Sequence, residues 1–366
     1  MTGSHRAPQP AAEFPAIVGA DLLRGLVPMP DAIEASRRAF TAAARGEISG
    51  PLRTSLSRQR VLVMPAEHTS GSGVIKIISL QPDGSSGGLP SIGGWVLWID
   101  GPTGRISAML DAAALTALRT GAASGLATAL LAPAASRVLA MLGAGGQAAD
   151  QVAGVCAVRP IREIRVHSRR LERSEELCER LRASYPGVAV TPAGTPRRAV
   201  RDADVICTAT RSAVPLFDAA DLAPGAHINA VGAYRLDMSE VPPEAFRRAS
   251  PVVIDQLEAA LAEAGDLVDA LDGGYLRRAD IVEIGRLLIG NEAPAGAGPA
   301  AVHAHAHASA PAAASGPGVS SGPGLTIFKS VGIAAQDWAV CELAVRRARE
   351  AGAMPGAPED GGAVIA

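Results

Sequence analysis

The sequence is short of cysteine, of net charge and of long apolar runs, and each shortage narrows what the chain can be. Its 366 residues hold four cysteines, Cys156, Cys178, Cys207 and Cys341, without the spacing of a metal site or a disulfide framework. That is the pattern of reduced, mostly buried thiols. A formal charge of −2 at pH 7 supplies no global field to attract nucleic acid or an anionic membrane, so neither is expected as a partner. No charge-free apolar run reaches the length of a membrane span, and the opening MTGSHRAPQPAAEF lacks the charged-then-apolar order of a secretory signal. Together these absences predict a cytoplasmic protein. Its length should bury a substantial core and divide into two domains.

What is present is a nucleotide fingerprint. Residues 137–148 read RVLAMLGAGGQA, an apolar run closing into a turn spaced G-x-G-x-x-A at Gly143, Gly145 and Ala148. The first glycine permits a tight turn, the second lets a pyrophosphate approach the backbone, and the small third residue lets the next helix pack close. Ala144, Gly146 and Gln147 complete the turn, and the helix that follows points free N–H groups at the phosphates. The spacing alone also fits glycine turns of other α/β sheets. Context favours the nucleotide: 138–142 reads as a buried strand, 147–158 as a helix closing at Arg159-Pro160, and 163–167 as the second strand of a βαβ unit.

That second strand ends in His167-Ser168-Arg169-Arg170, where NAD-preferring sites usually place an Asp or Glu for the ribose 2′-hydroxyl. A hydroxyl and guanidinium groups suit a 2′-phosphate, which arginine can grip with its planar fork. The alternative is that Arg169 and Arg170 are solvated residues opening the next helix. NADP(H) is the favoured cofactor, and NAD(H) the other.

Downstream, a helix over 171–185, a strand over 188–190, a helix over 197–201 and buried strands over 204–208, 226–231 and 252–255 continue the alternation. The strand ends Thr208-Ala209-Thr210 and Val231-Gly232 fall where a doubly wound sheet lines its cofactor crevice, although Thr and Gly are also ordinary strand terminators. Upstream, strands over 73–80, 94–100 and 105–110 are antiparallel in style, the last two joined by the turn Asp100-Gly101-Pro102-Thr103-Gly104. The Ala-rich stretch 111–131 is helical in composition, and Pro133 marks a boundary. Residues 291–324 are nearly all Ala, Gly, Pro, Ser and His, the composition of a disordered insertion. His303, His305 and His307 alternate within it, but no carboxylate or cysteine stands beside them and no metal is assigned. Beyond it, 325–350 reads as a strand, a glycine turn and a helix.

Seven motifs in order carry a family resemblance: VLVMPA from Val61, the strand with Lys76, DAAALTALRTGAASGLAT from Asp111, LGAGGQA, HINAVGA from His227, DQLEAALAEAGDL from Asp255 and LTIFKSVGIAAQDW from Leu325. Over nearly all of 15–350, apart from the insertion, they resemble the ornithine cyclodeaminase and mu-crystallin family. HINAVGA and EAALAEAGD are most similar to its mu-crystallin branch. The resemblance implies an α/β fold in which a Rossmann-type doubly wound NAD(P)-binding domain, 132–290, is inserted in an α+β substrate and dimerisation domain formed by 1–131 together with 325–366. It further implies a homodimer, and a small imino or amino acid held between the modules with C2 against the nicotinamide.

Such a substrate needs orienting, and its carboxylate is the natural handle. Arg53, Lys76 and Arg119 offer cations from separate segments. Taken singly, an arginine is more often a surface charge, whereas Lys76 stands in the apolar run GVIKIISL, where an unpaired ammonium is costly and a depressed pKa is expected. The resemblance makes Arg53 and Arg119 the carboxylate clamp, and Lys76 a further ligand and the catalytic proton relay to the imine nitrogen. It also places Thr120, Ser330, Val331 and Gly332 near the cofactor.

Two departures bear on substrate. Tyr234 stands just after the strand end where cyclodeaminases carry a catalytic Asp, and a phenol is a poor base at neutral pH. Leu62 stands where ornithine cyclodeaminase has a Glu. Losing both carboxylates weakens the case for a diamine. The expected activity is therefore NADP(H)-dependent reduction of a cyclic imino acid, Δ1-pyrroline-2-carboxylate or Δ1-piperideine-2-carboxylate, to an L-proline-like amino acid. The alternatives are an ornithine or lysine cyclodeaminase that uses bound NAD and releases ammonia, a dehydrogenase forming an open-chain secondary amine, and a nucleotide-dependent ligand-binding protein with little turnover.

Overall fold

Period-two burial along the strands and one helix apolar on every side establish the first layer. The computed structural model describes residues 14–56, 61–80, 92–290 and 324–354. The tract carrying His303, His305 and His307, expected to be a disordered insertion, lies outside the described residues. In chain order come β1 (Ala16–Val18), α1 (Ala20–Leu26), α2 (Met29–Ala44), β2 (Ile48–Ser49), β3 (Thr54–Leu56), β4 (Val61–His68), β5 (Gly73–Leu80), β6 (Ile92–Ile99), β7 (Ile106–Asp111) and α3 (Ala112–Leu131). The strands form a sheet ordered β1-β7-β6-β5-β4-β2, with β3 also on β4, and only the β1–β7 pair is parallel. Successive strand residues point to opposite faces. Val74, Lys76 and Ile78 of β5 are accordingly buried while Ile77 is exposed. The same parity separates Trp95 from Trp98: an odd separation turns Trp98 into the core and leaves Trp95 exposed.

Asp111 caps α3, its Oδ1 accepting from the Ala114 N–H at 2.7 Å. By length and composition this helix is apolar enough to cross a membrane, but it is buried from Ala114 to Thr128, packed against α2 and β6 and against the helix that follows the fingerprint. A helix apolar all round belongs at the centre of a fold. Gly121 permits the last of these contacts, since a Cβ there would strike the Asp150 backbone.

The second layer contains β8 (Val138–Leu142), α4 (Ala148–Cys156), β9 (Glu163–His167), α5 (Leu171–Ser184), β10 (Ala189–Pro192), α6 (Pro196–Val200), β11 (Val205–Thr208), β12 (His227–Ala230), α7 (Pro243–Arg248), β13 (Ala249–Ile254), α8 (Leu257–Glu263), α9 (Gly265–Asp272), β14 (Ile281–Glu283), α10 (Ile284–Gly290), β15 (Leu325–Lys329) and α11 (Ala334–Glu350). Its eight strands run β10-β9-β8-β11-β12-β15-β13-β14, every pair parallel. The order reverses between β8 and β11, the switch point at which such sheets open a ligand crevice.

Here the structure shifts a boundary. Residues 325–329, grouped by sequence with the first domain, are a strand of the second sheet, inserted between β12 and β13. The reason is burial: all five positions are buried, as a central parallel strand covered on both faces requires. After β15, α11 crosses back to pack on α2, β4 and β5. The crossing loop, Ser330 to Ile333, therefore spans the crevice between the two sheets.

Candidate active site in the crevice between the sheets

Three charged side chains meet at this crossing. Lys76 Nζ lies 2.7 Å from Asp337 Oδ2, Arg119 Nε lies 3.3 Å from Asp337 Oδ1, and Arg119 Nη1 donates to Gln336 Oε1 at 2.8 Å. Lys76, Arg119 and Asp337 are all buried. Asp337 thus faces Lys76 with one oxygen and Arg119 with the other. Charge attraction holds the group. Burial lowers the Lys76 pKa to about 8, with Asp337 opposing the shift and Arg119 and Arg53 adding to it. Burial also lowers Arg119, yet a guanidinium stays charged in a protein. Within this trio two cations face one anion, while Arg53 and Asp255 act on Arg119 from outside it with opposite signs.

Arg53 closes the group from the other side. Its Nε pairs with Glu263 Oε1 at 2.8 Å, and its Nη2 donates to the carbonyls of Val331 at 2.5 Å and Gly332 at 3.0 Å. Gly332 has φ +85, and a Cβ there would strike the Arg119 guanidinium, so only glycine lets Arg119 sit against this loop. Asp255 Oδ2 fixes the loop, accepting from Ser330 Oγ at 2.9 Å, Val331 N at 2.9 Å and Gly332 N at 2.6 Å. Burial pushes Glu263 up to about 7, against the opposing pull of Arg53. Arg53 and Glu263 border two cavities. One, of about 190 Å³, includes Leu52, Met64 and Gln256 in its lining; the other, of about 350 Å³, includes Leu62, Leu80, Tyr234 and Leu236.

The fingerprint turn fits a dinucleotide. Gly143 has φ +111, and a Cβ there would meet the Ala209 carbonyl oxygen at 2.6 Å; its N–H donates to His167 O at 2.8 Å. Gly145 and Gly146 are exposed, with no protein atom within 4 Å of where a Cβ would stand. Gln147 Oε1 is buried without a hydrogen-bond partner. A pyrophosphate could thus approach the backbone at the start of α4. Asp150 in the first turn would oppose an anion, and Arg24 takes both its oxygens, at 2.7 and 3.0 Å. Ser168 and Arg169 follow β9, whose His167 registers with Leu142, so they border this turn; Ser168 is half-buried and Arg169 exposed.

On the other side of the switch point, Glu240 gathers the strand ends. Its carboxylate accepts from Thr208 Oγ1 at 2.8 Å, Thr210 N at 2.6 Å, Thr210 Oγ1 at 2.8 Å and Gly232 N at 2.7 Å. The two threonine hydroxyls therefore shape the crevice wall. Thr120 is likewise engaged, its Oγ1 donating to Thr116 O at 2.6 Å. Lys329 pairs with Asp266 at 3.2 Å and donates to Ala233 O at 2.7 Å, which fixes the backbone just before Tyr234.

The sequence profile of the ornithine cyclodeaminase/mu-crystallin family matches residues 22–352. The chain belongs to this family. It is 32% identical over 345 residues to a Δ(1)-pyrroline-2-carboxylate reductase of Bacillus cereus, covering 92% of this chain and 97% of that protein. It is 31% identical to the ketimine reductase mu-crystallin of Mus musculus, covering 85% and 89% of the two chains. Among solved structures it is similar to Thermococcus litoralis Δ(1)-pyrroline-2-carboxylate reductase in complex with NADH and L-proline, with a TM-score of 0.80, 29% identity and coverage of 92% and 98%.

For this family member, the three cations singled out in the sequence, Arg53, Lys76 and Arg119, converge on one crevice. Both departures, Leu62 and Tyr234, line the same larger cavity. The sequence reading did not single out Asp337, Gln336, Glu263, Glu240 or Asp255. Asp337 carried a usable signal, an acid in the apolar stretch IAAQDWAV, of the same kind that marked Lys76.

Proposed function

We propose that the protein is an NADPH-dependent reductase of small cyclic imino acids, Δ1-pyrroline-2-carboxylate and its six-membered homologue, giving an L-proline-like product. The observation that carries this reading is the buried cluster of Lys76, Arg119 and Asp337, which is one negative charge short. A substrate carboxylate supplies that charge. At neutral pH Lys76, with a pKa of about 8, is mainly charged and serves this role. The larger cavity presents Leu62, Leu80, Tyr234 and Leu236, a wall suited to ring methylenes; the carboxylates that border it, Glu263 and Asp237, are paired with Arg53 and Arg235. The names of the relatives, a Δ(1)-pyrroline-2-carboxylate reductase and a ketimine reductase, support this substrate class.

A nicotinamide cofactor, when bound, supplies the hydride. Gly143, Ala144, Gly145, Gly146 and Gln147 would hold its pyrophosphate, with Ala209, Val231 and Ser330 to Gly332 around the crevice, and Ser168 and Arg169 at the ribose 2′-phosphate. We therefore expect Arg169→Ala to raise the KM for NADPH about ten-fold, the low end for a charged hydrogen bond because the side chain is exposed. The KM for NADH should be unchanged, and paired initial-rate measurements check both. The exposed Leu56, Ile77, Trp95 and Ile106 on the first sheet support a homodimer.

The deciding experiment follows NADPH and NADH oxidation with both imines, beside an ammonia assay with ornithine and lysine. Imine-dependent oxidation of NADPH is expected. Ammonia release without net change in cofactor would overturn the reading in favour of a cyclodeaminase.

A further inference from the structure

Glu263 is the last residue of α8, and its two oxygens have unequal surroundings. Oε1 is paired with Arg53 at 2.8 Å; Oε2 is buried and has no hydrogen-bond partner. The side chain is 13% exposed and borders both cavities. A buried carboxylate oxygen without a donor is an unfavourable arrangement unless something brings a proton to it. Lys76 is less suited to deliver a proton, being 1% exposed and held by Asp337.

We propose that Glu263 is the acid that protonates the imine nitrogen, and that it is loaded when Arg53 transfers from Glu263 to the substrate carboxylate. This rests on the reductase reading above. Before substrate binds, Arg53 neutralises Glu263. An incoming carboxylate competes for the same guanidinium, and Glu263, deprived of its counter-charge in a desolvated place, takes a proton from solvent onto Oε2. In an α-imino acid the nitrogen is bonded to the carbon that bears the carboxylate, so a group that shares Arg53 with that carboxylate lies within reach of the nitrogen. The Oε2–H bond breaks and an N–H bond forms, leaving an iminium and a carboxylate. Hydride addition at C2 then turns the C=N π pair into the nitrogen lone pair of the product amine, and Glu263 regains Arg53 as product leaves. The chain thereby supplies a carboxyl group from α8, in place of those it lacks at positions 62 and 234. Among the described residues, the other charged or titratable groups around Glu263 are Asp255 from the end of β13 and, across the larger cavity, Tyr234 and the Arg235–Asp237 pair.

Two measurements test this. The first is calorimetric titration of the wild type with pyrrole-2-carboxylate, an inert planar analogue, at pH 7.5 in buffers of different ionisation enthalpy. The expected result is net uptake of a proton on binding, lost in Glu263→Gln; binding without proton uptake by the wild type overturns the proposal. The second is the pH profile of kcat/KM for imine reduction, corrected for the measured ionisation of the substrate. In the wild type the rate should fall above about pH 7 as Glu263 loses its proton. In Glu263→Gln it should be about a hundred-fold lower, with its alkaline limb moved to about 8, the value of Lys76. An active wild type with an unmoved limb in Glu263→Gln overturns the role of Glu263 alone. A wild type that reduces no imine overturns the proposed function and this role together.

Discussion

Asp337→Asn is expected to lose about 3–5 kcal/mol of folding stability, the usual consequence of removing one member of a buried charge group. The side chain keeps its shape, but Lys76 and Arg119 are left buried as cations with no anion between them. Urea denaturation at pH 7 measures the loss. Its pH dependence has a definite sign. Asp337 opposes the lowering of the Lys76 pKa, so in the variant that pKa falls below its value of about 8 while the unfolded value stays near 10.5. Between those limits the unfolded chain holds more protons than the folded one, and stability rises with pH. The wild type gains in the same way only above about 8, so the variant should recover part of its deficit between pH 7 and 8. A second substitution, Lys76→Met in the Asp337→Asn background, should restore stability, because it removes one of the two stranded cations; a double-mutant cycle shows the coupling directly.

Lys76→Met in the wild-type background should separate stability from activity. Arg119 and Asp337 remain as a balanced pair, and a Met of similar length fills the space, so the fold should be unchanged or slightly more stable. The excess positive charge is gone, however, and with it one charged contact to the substrate carboxylate. About 3 kcal/mol at the upper end of a charged hydrogen bond corresponds to about a hundred-fold loss in kcat/KM for the imine. Denaturation and steady-state rates on one preparation check both halves. The chain has only two lysines, Lys76 and Lys329, so isotope-labelled lysine should give two resonances, one titrating near 8 and absent from the variant.

Much of the nucleotide-binding layer was legible from local pattern. Strands β8 and β9 fall on the expected residues 138–142 and 163–167, because a strand buried on both faces is a continuous apolar run bounded by turn residues. The glycines of the turn need their special geometry whatever lies elsewhere, and Gly143 shows it with φ +111. The cations Arg53, Lys76 and Arg119 were legible as well, Lys76 by physics and the arginines by resemblance. Less local features were not. Helices α1 and α2 gave no distinct reading, and the strand 325–329 was grouped with the first domain, since its composition suits any buried strand and only pairing with β12 and β13 decides its place.

By itself the sequence determined the doubly wound sheet, the phosphate turn, the family and three of the charges at the crevice, because each is written in spacing or residue type along a short stretch. Tertiary structure alone decided that Asp337 stands between Lys76 and Arg119, that Glu240 occupies the threonine hydroxyls, and that Glu263 pairs with Arg53 beside two cavities. The physical reason is that the energy of a charge is set by its burial and its partners. Those partners come from β5, α3, α8 and α11, segments remote in sequence that only the folded chain brings together.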